Sequence, residues 1–100
     1  MNREKIISLF EHYLENTDEH HKFDRIKNPV TKRPDLQAFM ILDTLLPSDD
    51  DIIAAAEHDI IYLAPDIDDL AAVITEDDFL ALIRCGISYD RHYDCLYMFV

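Results

Sequence analysis

Glycine is nearly absent: Gly86 is the only one in a chain of 100 residues. Nucleophile elbows and phosphate-cradling loops are built on glycine turns. With one glycine, neither motif is present. Long flexible linkers are equally disfavoured. Extended apolar runs are missing too. Runs such as Ile52–Ala56 and Leu70–Ile74 hold five residues each, whereas a membrane-spanning helix needs about 20. The opening Met1-Asn2-Arg3-Glu4-Lys5 leads into a mixed helix and not into the apolar run of an export signal. The cytoplasm, of a host cell if the protein is carried there, is therefore the expected compartment. Cysteine is scarce as well. Cys85 and Cys95 fit a reducing compartment, as buried or half-buried thiols more than as a disulfide.

Positive charge is missing from one long window. Between Asp49 and Asp78 there are eleven carboxylates and no lysine or arginine. The formal net charge is −12. Residues 1–34 carry a net of +1, and residues 35–100 a net of −13. Like charges held together weaken the compact state, and solubility alone is served by mixing signs. A face directed at a basic protein surface accounts for the window, and a solvated acidic face accounts for it equally well. Direct binding of nucleic acid is disfavoured, because such a surface repels phosphate. Lys22, Arg25, Lys27, Lys32 and Arg33 form a basic strip interrupted by acids. That strip either pairs with the acidic helices or adds a second contact surface.

What is present is core-forming material. The apolar fraction is 49%, too high for a disordered acidic tail. At this length roughly two thirds of the unfolded surface can be buried, enough for one core. A single domain over 1–100 is expected, with a near-neutral helix and loop (1–34) preceding an acidic core (35–100).

Ile6, Leu9 or Phe10, and Tyr13 recur at helical spacing, so residues 3–15 read as an amphipathic helix. Residues 16–34 read as a loop, held to the core by Phe23, Ile26 and Val30. Pro34 suits the first turn of a second helix, with Leu36, Phe39, Met40, Leu42 and Leu45 or Leu46 as its apolar face and Pro47 as its end. Ser48 reads as an N-cap, followed by Asp49, Asp50 and Asp51 in the first turn of a short helix through His58. Ile60–Leu63 reads as a buried strand. Pro65 and Asp66 open a further helix. Thr75-Glu76-Asp77-Asp78 has the capping-box pattern and starts another, which Gly86 terminates. Ile87–Asp90 and Cys95–Phe99 form a C-terminal hairpin, and the second of these strands, apolar on both faces, is expected to be central. The expected architecture is α+β: about five short helices on a small, mainly antiparallel sheet of about three strands.

No catalytic residue, cofactor or metal site is assigned. Neither His-Glu-x-x-His nor Cys-x-x-Cys occurs. His20-His21 is an isolated pair. Asp66-Ile67-Asp68-Asp69 starts like a calcium loop, but Leu70 and Ala71 stand where the EF-hand has a ligand and glycine. Cys85 or Cys95 with His58 or His92 could form a dyad in space, without the glycine-rich turn on which such nucleophiles usually stand. Tyr62, Tyr89, Tyr93 and Tyr97 gather near the sheet, where packing accounts for them more readily than an interface does.

The stretch Glu76-Asp-Asp-Phe-Leu-Ala-Leu-Ile-Arg-Cys-Gly-Ile-Ser-Tyr-Asp90, with Tyr93-Asp-Cys-Leu-Tyr-Met-Phe-Val100, resembles small uncharacterised proteins encoded by tailed phages and prophages. The likeness reaches back loosely to about Asp35 and does not cover the N-terminal helix. It carries no catalytic motif. It implies a mobile-element setting, in which small acidic proteins act as inhibitors of host defence. In composition the chain is also similar to DNA-mimic anti-restriction and anti-CRISPR proteins.

The expectation is thus a non-enzymatic protein that binds a host protein with a basic nucleic-acid-binding surface. Its contacts would be Asp49, Asp50, Asp51, Asp66, Asp68, Asp69, Glu76, Asp77 and Asp78, grouped at three predicted helix starts. The alternative is an interaction or assembly module that uses an apolar patch.

Overall fold

A computed structural model describes all 100 residues. Helix α1 spans Arg3–Glu15, and Asn2 caps it by accepting a hydrogen bond from the Lys5 amide at 2.9 Å. Its inward stripe is Ile6, Leu9 and Phe10. A single 3₁₀ turn, Phe23–Arg25, interrupts the following loop. Helix α2 (Pro34–Leu45) begins with Pro34 in its first turn. Strands β1 (Ile53–Glu57) and β2 (Ile60–Leu63) form a hairpin. Helices α3 (Ile67–Val73) and α4 (Glu76–Arg84) follow. A second hairpin, β3 (Ser88–Asp90) and β4 (Cys95–Phe99), closes the chain.

The four strands make one antiparallel sheet in the order β1-β2-β4-β3. β4 is central, as its apolar faces require. Ile61, Leu63, Leu96 and Met98 are buried and join Ile6, Phe10, Leu42, Leu70, Phe79 and Leu82 in one apolar cluster. Phe10 and Phe79 meet edge to face at its centre, 4.6 Å between centroids, a favoured aromatic geometry.

Three expectations are corrected. Ile52–His58 is not a helix: Ile53–Glu57 pairs with β2, which raises the strands to four and leaves four α-helices. Alanine's helix propensity is a weak prior, and the adjacent Ile60–Leu63 strand offers Ala54–Ala56 a ladder instead. Asp49, Asp50 and Asp51 therefore lie in a loop, where Ser48 Oγ accepts from the Asp50 amide at 3.0 Å. Val30 does not hold the 16–34 loop to the core, because it is exposed; Phe23 and Ile26 do pack there. Helix α2 keeps Phe39, Leu42, Leu45 and Leu46 of the expected face against the core but not its other two residues. Leu36 and Met40 are exposed, whereas Gln37, Ala38 and Leu42 are buried. The Gln37 amide oxygen accepts from the Val30 and Thr31 amides at 2.8 and 3.3 Å. A polar side chain enters the core side because the loop backbone needs an acceptor there.

Candidate partner-binding surface

The acidic window converges on the C-terminal half of α2. A cleft of about 380 Å³ opens between the end of α2, the 47–52 loop and the start of α3. Leu42, Leu45, Leu46 and Ile52 contribute apolar walls, and Asp43, Asp50, Asp51, Asp66 and Asp69 contribute carboxylates. The Ala64 amide donates to the Ile52 carbonyl at 2.6 Å, tying the loop to the end of β2. Asp66 caps α3, its Oδ2 accepting from the Asp69 amide at 3.0 Å. No basic residue stands in the last turn of α2, so its carbonyl end adds negative potential.

Each residue expected at the surface has a distinct position. Asp50, Asp51, Asp66 and Asp69 line the cleft. Asp49 is exposed on the same loop. Asp78 lines a neighbouring groove with Met40, Ile41 and Thr44; Leu45 lines both cavities and joins them. Glu76 and Asp77 are exposed in the first turn of α4. Asp68 is turned elsewhere. Its two oxygens take Arg3 Nε and Nη2 at 2.8 and 3.0 Å, and Arg3 Nη1 also reaches Asp94 at 2.6 Å. This clamp ties α1 to α3 and to the final turn, and the guanidinium holds both carboxyls below their usual range. Asp43 was not singled out in the sequence. It belongs with the site because it sits one helical turn before Pro47, beside Leu42 and Leu46.

Of the eleven carboxylates from Asp49 to Asp78, Asp68 alone pairs with an arginine, and none pairs with a lysine. The basic strip does not neutralise them. Arg25 pairs with Asp18 and Glu19, and Arg33 with Asp35, close by in sequence.

The cysteines and the His20–Ser88 pair are held differently. Burial pushes the Cys85 thiol up to about 12, away from the thiolate that a nucleophile needs. Cys95 is also free, and its thiol is raised by burial and by Asp90 and Asp94. His20 Nε2 lies 3.0 Å from the buried Ser88 Oγ, pinning the 16–22 loop to β3. No group of three or more histidines, cysteines and carboxylates is placed to hold a metal ion. No helix is long and apolar enough to cross a membrane.

No protein-family model, curated protein or solved structure matches the chain.

Proposed function

We propose that this chain is a non-enzymatic inhibitor of the phage or mobile-element kind. It acts in the host cytoplasm by occupying the basic surface of a nucleic-acid-binding defence protein, such as a restriction or CRISPR component. The observation that carries this reading is the set of unpaired carboxylates around the α2 cleft. They create a field of one sign that steers a basic partner into encounter. The apolar walls then accept the aliphatic stem of a lysine or arginine while the carboxylates meet its charged head. Occupied in this way, the partner's groove is closed to phosphate.

The test uses duplex DNA immobilised on resin and loaded with bacterial lysate. Adding the protein should elute specific DNA-binding proteins, identified by mass spectrometry. The variant Asp50→Asn/Asp51→Asn/Asp66→Asn/Asp69→Asn should not elute them. Asparagine still caps a helix, so α3 keeps its start. Equal elution by the variant, or none by the native protein, would overturn the reading. A second reading, an interaction module using an apolar patch, is favoured by one observation, the aromatic side chains on the outer face of the sheet.

A further inference from the structure

The helices cover one face of the sheet. The other face carries Ile60 and Tyr62 from β2 and Tyr97 and Phe99 from β4, with Tyr62 opposite Tyr97 and Ile60 opposite Phe99. Tyr93, from the β3–β4 turn, adds a further ring. The row Tyr93–Tyr62–Tyr97–Phe99 is continuous, with centroid separations of 5.3, 6.3 and 5.7 Å. Tyr93 is 59% exposed and Phe99 52% exposed. Successive rings are tilted by 73°, 45° and 84°, so none of the three pairs is stacked face to face.

The borders of this face are acidic. Glu57 lies opposite Ile60, and Asp90 lies opposite Cys95, so both carboxylates stand on the aromatic side. Neither meets a lysine or arginine; Glu57 has only His58 nearby, at 4.0 Å. Burial, then Asp90, Tyr93 and Glu57, push the Tyr62 phenol upward, and in the strand order Glu57 on β1 and Asp90 on β3 lie to either side of Tyr62 on β2.

We propose that this face is a second docking surface, for an extended, arginine-bearing segment of a partner protein. A guanidinium stacks on a tyrosine face and pairs with a carboxylate at the same time, which an ammonium does less well. A second copy of the chain is a poorer source of that group. Arg3, Arg25 and Arg84 are held by carboxylates, and Arg33 and Arg91, though exposed, lie beside Asp35 and Glu11. The acidic borders of two copies would also repel each other. This surface lies on the sheet, apart from the α2 cleft, and its assignment does not depend on the role of that cleft.

The experiment titrates the ¹⁵N-labelled protein with two nonapeptides alternating glycine with either arginine or lysine, of equal charge. Amide shifts should centre on Glu57, Tyr62, Tyr97 and Phe99 with the arginine peptide. The lysine peptide should bind about three- to fivefold more weakly. Tyr62→Leu, outside the buried cluster, should remove that difference while leaving the spectrum folded, and Glu57→Gln/Asp90→Asn should weaken both peptides. Equal binding of the two peptides, or shifts confined to the cleft around Asp50, Asp66 and Asp69, would overturn the assignment. Concentration-dependent shifts at the aromatic row without peptide would overturn it in favour of self-association.

Discussion

Gly86 stands just past α4 with φ at +98°, and a Cβ there would come within 2.4 Å of the His21 ring. The left-handed backbone demands glycine, and the exposed His21 ring would have to shift to admit a Cβ. Gly86→Ala is therefore expected to lower stability by about 1–3 kcal/mol, read as a fall in melting temperature. The position of this glycine after an apolar helical run made the helix end legible in the sequence. The His21 contact was not legible, because it joins residues far apart in the chain. Next to it, burial and the neighbouring His21 lower the His20 pKa from its ordinary value. The folded state thus binds this proton less readily than the unfolded chain does. The stability contribution of His20 is full above about pH 6.5 and is lost as pH falls through the lower folded value. Melting temperature measured from pH 7.5 to 5.5 should decline for the native protein and decline less for His20→Gln. An unchanged slope in the variant would contradict this assignment.

Most helix ends marked by local chemistry were legible in the sequence. Helix α1 begins at Arg3 as expected, and Pro34, Asp66 and Thr75 start their helices where expected. Thr75 makes half of the expected capping box: its Oγ1 accepts from the Asp78 amide at 3.2 Å. Thr75→Ala should cost about 1 kcal/mol, measurable as a shift in the urea midpoint with an unchanged slope. Strand β1 shows where local reading fails. Ser48 and three aspartates mimic a helix start, and Ala54–Ala56 favour helix, yet all of β1 is exposed, so no buried face disclosed its period. Only its pairing with β2 decides its conformation. The exposure of Leu36 and Met40 on α2 has a similar origin, since Gln37 is drawn inward by loop amides that periodicity does not register.

Over the whole molecule, charge segregation was visible in the sequence but its geometry was not. Three acidic clusters could be named there. That two of them share a cleft with Asp43, that Asp78 adjoins it across Leu45, and that Asp68 belongs to an internal clamp follow only from the packing of α2 against α4 and from the path of the 47–52 loop. The aromatic row was hidden for the same reason, since Tyr62 and Tyr97 become neighbours only through the β2–β4 register. Leaving so many carboxylates unpaired costs stability through mutual repulsion, and a partner of opposite charge relieves that repulsion. The most direct test is an affinity capture from bacterial lysate at about 0.1 and 0.5 M salt, where the screening length falls from about 10 Å to a few ångströms. It compares the native protein with the four-asparagine cleft variant. The account predicts that a nucleic-acid-binding protein is retained by the native chain at low salt only, and by the variant at neither. A partner held equally at both salts, or held equally by the variant, would contradict it.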